Sequence, residues 1–489
     1  MNAECGGYRV RRWLAGWQVL VMLLVTGVVG ANSAGALDPV YPFADPLQTE
    51  PAVIATGVTL PGDGTPVPCP AQKDFSAPLA LSEAVDLALC HNSQLKSSWA
   101  NIKIQAGAVG EARAAYLPVL TGSLGRTNDQ IRYSNSNFKP TSINQNTAQG
   151  TLIWRLLDFG GRAASHQAAE NLLTAALASH NTTLQKTLAA VIQAYCDALT
   201  TRAAVKAKTE SVEIAIRTLN SAKAREAKGT LAQTDTLQAT TALAKTSLEK
   251  NRARGDYDKA LSVLVYLLGV PGNTAITLPE DQEAKFEEDG GKALALWLEE
   301  TEKNHPALVA ARSQLEAAQQ RVEATRSAGM PYLGLSANYY QNTRPGEAVT
   351  ASNSTETTVG LTLTIPLFDG FSSTYKLQGA QAQVEQKEAV LADAERQIAM
   401  EVIKAHADAT SALQNLGASA TLLAAAHNAL AVSQRKYTKG AADIVELLNT
   451  QAALADARHE RIRCLAEWRS ARLRLLASVG QLGRTAFRE

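Results

Sequence analysis

The sequence has few aromatic residues and methionines, almost no net charge, and two long stretches without proline. Each of these features argues against a class of structure or function. Aromatic residues make up 5% of the 489 residues and there are only 4 methionines, which is low for an enzyme with a thick, compact core. The 47 basic and 46 acidic residues leave a formal charge of +1, which argues against a basic surface that binds nucleic acid. Proline is absent between Pro140 and Pro271 and after Pro366. Because proline breaks helix interiors, long helices can form in these two stretches.

The N-terminus predicts a cleavable export signal. A basic start precedes an apolar run between Leu14 and Gly30, and Ala34-Gly35-Ala36 supplies the small residues after which a signal peptidase cuts. A single membrane anchor is the alternative, but the apolar run is short for a bilayer span. Elsewhere the sequence has no stretch of about 20 apolar residues, so we expect no membrane-spanning helix.

The cysteines and histidines give no catalytic or metal-binding pattern. In an exported protein Cys69 and Cys90 can form a disulfide, whereas Cys196 and Cys464 lie in helical patterns and are expected to be small buried side chains. No CxxC, HExxH or nucleophile-elbow spacing occurs. We therefore expect no enzymatic activity, no metal and no cofactor.

Landmarks that recur about 211 residues apart predict an internal repeat. Leu157-Asp158 corresponds to Phe368-Asp369, and Lys228-Gly229 corresponds to Lys439-Gly440. We therefore divide the chain into a signal peptide (1–36), a proline-rich leader expected to be disordered or to lie along the outside (37–78), a first repeat (79–275), an acidic linker (276–290), a second repeat (291–480) and a C-terminal tail (481–489).

Each repeat contains a very long predicted helix. Residues 163–228 include neither glycine nor proline, which allows a helix of roughly 100 Å. An apolar ladder from Leu184 to Leu219 has a period near 3.5, as in a coiled-coil seam. The second copy repeats this pattern over 380–439. Gly229 and Gly440 can adopt the left-handed conformation that ends a helix, so each is predicted at the tip of an antiparallel helical hairpin.

Short alternating segments in each repeat predict β-strands. Apolar residues alternate with small or polar ones over 333–339 and 359–367, over 151–156, and less regularly around 120–124, and polar loops are predicted at 126–146 and 341–356. Strands with one apolar face are typical of outer-membrane barrels, although a soluble hairpin packed on the helices is the alternative. Four strands cannot close a barrel, so a membrane-spanning sheet would require several copies of the chain.

Over residues 79–480 the order and spacing of these elements resemble the TolC family of outer-membrane export channels. The resemblance implies a mainly helical homotrimer, with a twelve-stranded barrel in outer-membrane lipid and a coiled-coil tunnel in the periplasm. It implies a periplasmic adaptor, an inner-membrane ABC transporter and an exported protein cargo as partners. The long helices and the absence of a lipid-attachment cysteine after the apolar run fit the type I secretion members, although neither feature is exclusive to them. The expected cargo is therefore a large protein such as an RTX adenylate cyclase-haemolysin toxin. Multidrug or metal efflux, and a secreted non-channel coiled-coil scaffold, are the alternatives.

An acidic residue follows each tip glycine by six positions, Asp235 in the first copy and Glu446 in the second. The resemblance implies that these acids, with Asn449, line the periplasmic entrance, and that Tyr437 contacts Asp235 in the closed state. A ring of carboxylates attracts cations and repels large anions. The alternative is that both acids simply offset the dipole at the start of a helix.

The resemblance also implies that the tip turns dock the adaptor, through Lys228, Gly229, Lys439 and Gly440. One position departs from the family pattern, because Ala442 stands where the family has an arginine that braces the closed state. Either one of the neighbouring basic residues Arg435, Lys436 and Lys439 substitutes for that arginine, or the closed state is held more weakly.

Overall fold

The computed structural model describes residues 45–51, 69, 75, 77–132, 134, 141–230, 232–279, 293–343 and 353–483. The chain divides into residues 1–48 and residues 49–489, and the described helices and strands belong to the second unit. The predicted signal peptide, most of the leader and most of the acidic linker lie outside the described residues.

The two repeats share one order of elements, as the sequence predicted. Each copy has two short helices, two strands, a very long helix and a shorter helix that runs back along it. The elements are α1 (Leu81–His91), α2 (Ser93–Ala114), β1 (Val119–Ile131), β2 (Thr141–Leu157), α3 (Gly161–Glu226), α4 (Gln233–Leu268), α5 (Leu294–Asn304), α6 (Pro306–Ala328), β3 (Tyr332–Thr343), β4 (Asn353–Thr364), α7 (Ser372–Thr438) and α8 (Ile444–Val479).

The long helices form two antiparallel hairpins. Helix α3 has 66 residues and α7 has 67, so each is roughly 100 Å long. Helix α3 packs against α4, α7 packs against α8, and α3 also packs against α8, which joins the two hairpins. Gly229 and Gly440 have φ values of 72° and 75°, which confirms the predicted left-handed turns at the tips.

The predicted seam on α3 is buried over its first half. Leu184, Leu188 and Val191 are fully enclosed in a core that α1, α3 and α4 share, whereas Ile216 further along is exposed. Two segments outside the predicted repeats also enter this core. Leu278, in the predicted linker, and Leu482, in the predicted tail, are both buried.

A disulfide joins the leader to α1. Cys69 and Cys90 are bonded, with their Cα atoms 5.6 Å apart, so the pairing that the sequence left open is formed. Cys196 and Cys464 are free and buried, as predicted.

The four strands form one antiparallel sheet in the order β1-β2-β3-β4. The register aligns apolar side chains on a single face: Leu335 lies between Leu361 and Trp154 in neighbouring strands, and Leu152 lies opposite Leu120. Much of this face is exposed in the single chain. Within the described residues β1 and β4 each pair with one strand only, so the sheet has two open edges.

The strands are longer than the sequence predicted. Within the expected loops, residues 126–131, 141–146, 341–343 and 353–356 are strand, because the backbone ladder forms equally well between polar residues. Asn128, for example, donates a side-chain hydrogen bond to Asn144 on the facing strand. Strand β4 instead ends early, at Thr364, because Pro366 has no N–H to donate to a ladder.

Helix α7 contains an unusually apolar stretch. It contains a window of 18 residues that is long and apolar enough, by composition alone, to cross a membrane, although none was expected after the N-terminus. The helix packs against α5, α6 and α8, yet only 22% of the window is buried within the chain. Its apolar surface is therefore not covered by the single chain.

Candidate functional site: the tips of the helical hairpins

Both tips are built by the same helix-ending turn. At the first tip the N–H of Thr230 donates to the carbonyl of Arg225 at 3.0 Å, and at the second the N–H of Ala441 donates to the carbonyl of Lys436 at 2.9 Å. Each bond spans five residues and closes around a left-handed glycine, which is the Schellman arrangement. Lys228 and Lys439 precede these glycines and are exposed. The predicted tip residues therefore do form the tips.

An apolar cluster joins the two hairpins close to their tips. Leu219 and Ala222 of α3 share it with Leu430 and Tyr437 of α7 and Ile444 of α8. Tyr437 is only 4% exposed. The tips are therefore packed against each other, and a separation of the hairpins would expose this cluster to water.

Asp235 and Tyr437, the two residues predicted to close the entrance, are not hydrogen-bonded to each other within the single chain. Asp235 lies in the first turn of α4, half-buried, and its carboxylate has no hydrogen-bond partner among the described residues. The Tyr437 hydroxyl is buried and likewise has no partner in the described part of the chain. A buried hydroxyl without a partner is costly.

Glu446 lies in the first turn of α8, beside a basic neighbour. Its N–H donates to the side chain of Asp443 at 2.8 Å, which makes Asp443 the N-cap, a helix-start signal that the sequence contained and that our sequence analysis missed. The Glu446 carboxylate lies 3.4 Å from the Lys436 ammonium, and both side chains are about half exposed. Asn449 lies one turn further on and is exposed.

Arg225 is the contact that sequence reasoning missed. Its guanidinium donates to the carbonyl oxygens of Tyr437 and Thr438, both at 3.1 Å, and lies 4.7 Å from the centre of the Tyr437 ring. The expected substitutes do not reach across the hairpins in this way. Arg435 donates to a carbonyl of its own helix, and Lys436 pairs with Glu446.

The described residues contain no group of three or more His, Cys, Asp and Glu side chains arranged to hold a metal. One buried histidine lies far along α3 from the tips. The Nδ1 of His180 is 2.7 Å from the Ser98 hydroxyl, its ring packs edge-on against Trp99, and its Nε2 has no partner in the described part of the chain. Burial lowers the pKa of His180, because desolvation disfavours the charged imidazolium.

Comparison with known proteins identifies the family. Both repeats match the family model described as outer membrane efflux protein, over residues 84–270 and 297–481. The chain belongs to this family. It is therefore an outer-membrane channel protein that extends into the periplasm, and the TolC-like fold expected from the sequence is confirmed.

Individual relatives agree with this assignment. Protein CyaE of Bordetella pertussis (strain Tohama I) is 36% identical over 438 residues, which cover 89% of this chain and 91% of CyaE. The alkaline protease secretion protein AprF of Pseudomonas aeruginosa is 26% identical over 303 residues, covering 60% of this chain and 62% of AprF. The solved outer membrane channel CmeC of Campylobacter jejuni superposes with a TM-score of 0.74 at 14% identity, over 87% of this chain and 94% of CmeC.

Proposed function

We propose that the protein is the outer-membrane channel of a type I secretion system. In this proposal the channel is a homotrimer, and a periplasmic adaptor joins it to an inner-membrane ABC transporter. A large protein cargo passes from the transporter through the channel to the exterior. The observation that carries the proposal is that the sheet and the long helices belong to one chain and follow each other directly. A sheet with an exposed apolar face continues directly into helices that are far longer than any globular core requires.

The sheet supports assembly into a trimeric barrel. Its two open edges expose backbone N–H and C=O groups, which are satisfied in a membrane only when the sheet closes on itself. Three copies of this four-stranded sheet give twelve strands, within the range of outer-membrane barrels. The strands have 12 to 17 residues, which exceeds the roughly 9–11 needed to cross the bilayer. The apolar face would contact lipid.

Similarity to CyaE and AprF supports secretion rather than efflux. AprF is named for the secretion of a protease, whereas the family description names efflux. Efflux of drugs or metals is therefore the second candidate function. A soluble coiled-coil scaffold is the third, but a scaffold has no use for an apolar sheet face exposed on all four strands.

Deletion of the gene separates these functions. Under the proposal, a large protein disappears from the culture supernatant while susceptibility to drugs and metals is unchanged, and the plasmid-borne gene restores secretion. Loss of resistance with secretion intact would favour efflux instead. Cell fractionation tests the scaffold, because recovery of a soluble periplasmic monomer would contradict both channel functions.

For the entrance, we propose that Glu446 of three chains forms an acidic ring and that Asp235 and Tyr437 hold neighbouring hairpins closed. The half-exposed carboxylate of Asp235 supports this, since it has a bond to gain on assembly. The hydroxyl of Tyr437 is enclosed by the single chain and has no partner among the described residues, so it would gain a bond when the tip shifts on assembly. Asn449, one turn after Glu446, would extend the lining. The exposed tip turns at Lys228-Gly229 and Lys439-Gly440 would dock the adaptor.

Planar-bilayer recordings of the purified channel test the ring. Like charges in a narrow pore bind multivalent cations strongly, so Glu446→Gln should remove most of the block by a trivalent cation. Lys436→Met is the matched control, because removal of the paired ammonium should strengthen the block. Full block in Glu446→Gln would place the ring elsewhere.

The same recordings test the closure. Asp235→Ala combined with Tyr437→Phe should raise the resting conductance, because the closed state loses its hydrogen bonds. If the conductance is unaltered, the two residues are ordinary helix-end residues and the closure has another cause.

A further inference from the structure

Arg225 occupies an unusual position, at the end of one hairpin and against the helix end of the other. The last four carbonyls of any α-helix have no partner within that helix. At the end of α7, the carbonyls of Tyr437 and Thr438 are two of these. The Tyr437 carbonyl accepts from the Gly440 N–H of the tip turn at 3.1 Å, and Arg225 of α3 donates to both carbonyls. A basic side chain at a helix C-terminus also offsets the helix dipole. Here that residue comes from the other hairpin, 212 residues earlier in the chain.

The arginine is held ready for this contact. Its own carbonyl accepts bonds from both the N–H and the hydroxyl of Thr230 in the tip turn, so its backbone is fixed. Its guanidinium lies over the ring of Tyr437, whose burial fixes the ring in turn. A planar fork can donate to two carbonyls and stack on a ring at once, which an ammonium cannot do.

We propose that Arg225 is the positioning residue that latches the second hairpin to the first in the resting state. It would thereby take the bracing role for which Ala442 is unsuited. The proposal rests on the proposed channel function for its consequence, a closed entrance. Movement of the α7–α8 tip away from the α3–α4 tip must break two charge-assisted hydrogen bonds and one cation–π contact. The same movement must uncover the apolar cluster around Tyr437.

The test compares three variants of the full-length trimer. Arg225→Met removes the bonds and keeps the apolar stem. Arg225→Lys keeps the charge but not the fork. Arg217→Met, eight residues earlier on α3, is the matched control, since that side chain is exposed and the structure records no hydrogen bond or ion pair for it among the described residues.

In planar bilayers Arg225→Met should raise the resting conductance roughly tenfold, which corresponds to about 1.4 kcal/mol. Arg225→Lys should give a smaller rise, and Arg217→Met should match the parent channel. A resting conductance in Arg225→Met within twofold of the parent would overturn the latch. If Lys replaces Arg with no change at all, a positive charge near the end of α7 suffices and the bidentate latch is wrong.

Hydrogen exchange provides a readout that does not depend on conduction. Amides of residues 433–444 should exchange faster in Arg225→Met than in Arg217→Met, because the tip opens more often, while amides in the α1 region should be unchanged. Equal exchange at the tip would refute the latch even if the protein proves not to be a channel. Accelerated exchange with no channel activity in the parent protein would retain the latch and reject the proposed function. If Arg225→Met fails to form trimers, Arg225→Lys carries both measurements.

Discussion

The junction between sheet and tunnel depends on Arg162, and its replacement gives the sharpest stability prediction. At the start of α3 this side chain donates to the Asp158 carboxylate at 2.9 Å, to the Arg155 carbonyl at 2.7 Å and to the Leu156 carbonyl at 3.1 Å. The side chains of Arg162 and Asp158 are 13% and 12% exposed. One guanidinium therefore fastens the last residues of β2 to the first turn of the tunnel helix.

The expected cost follows from these contacts. Hydrogen bonds to charged groups contribute about 1.5–3 kcal/mol each but are not additive, and removal of one partner of a largely buried ion pair costs about 3–5 kcal/mol. Arg162→Met should therefore destabilise the protein by about 3–5 kcal/mol. The internal repeat supplies the control. Ser373 occupies the corresponding position in the second copy, where Asp369 accepts a backbone hydrogen bond from it at 2.7 Å. Because Ser373→Ala retains that N–H, it should cost less than about 1 kcal/mol.

Urea unfolding of the detergent-solubilised protein, followed by tryptophan fluorescence, measures the difference. Trp154 reports on this junction, since its indole N–H donates to the carbonyl of Tyr116. A lower midpoint with an unchanged slope indicates lost stability rather than a changed unfolded state. If Arg162→Met and Ser373→Ala unfold at the same midpoint, water replaces the guanidinium at little cost and the reasoning fails.

Three further predictions concern the part of the tunnel around α1. Cys90→Ser should lower the unfolding free energy by about 2–4 kcal/mol, because the Cys69–Cys90 bond closes a loop of 21 residues; equal urea midpoints with and without reductant would contradict this. The lowered pKa of His180 contributes stability that is present above its unfolded pKa and is lost as the pH falls through the folded value. The urea midpoint should therefore fall on acidification and should fall less in His180→Gln; identical pH profiles would refute the assignment. Gly269→Ala places a Cβ 2.8 Å from the His91 carbonyl oxygen, whereas the Cβ of Gly229→Ala, at a similar positive φ, meets open space. Gly269→Ala should therefore lower the free energy of unfolding by about 2 kcal/mol more than Gly229→Ala does. Equal losses would show that the backbone at Gly269 moves freely.

The sequence predicted the architecture because its signals are local and repeated. A stretch without glycine or proline has few alternatives to a helix, and the tip glycines mark where each helix ends. Several landmarks recur in the same order in both copies, so the prediction of a repeat did not depend on any single match, which could have arisen by chance. The strands were predicted at their apolar halves only. Their polar halves have polar residues on both faces, so no alternation of apolar and polar residues marks them in the sequence. The pairing of Asn128 with Asn144 is an example.

What sequence could not supply are contacts between distant segments. Leu278 and Leu482 lie in segments that were assigned to a linker and a tail, yet both are buried beside α3. Leu482 is held by a reciprocal pair of hydrogen bonds with the side chain of Gln185, 297 residues away. No periodicity exists in two or three residues, so their burial depends on the completed fold. Arg225 was missed for the same reason.

The tips show how duplicated positions acquire different roles. Arg225 and Lys436 each stand four residues before their tip glycine, so the repeat places a basic residue at the same point of both long helices. Helix α3 lies against α8 of the other hairpin, and Arg225 therefore meets the carbonyls at the end of α7. In the described part of the chain Lys436 pairs with Glu446 of its own hairpin, at an exposed site where such a pair contributes little. Position 225 requires a planar, bidentate donor, whereas position 436 requires only a charge. Lys436→Arg should accordingly preserve the behaviour of the entrance, while Arg225→Lys should not.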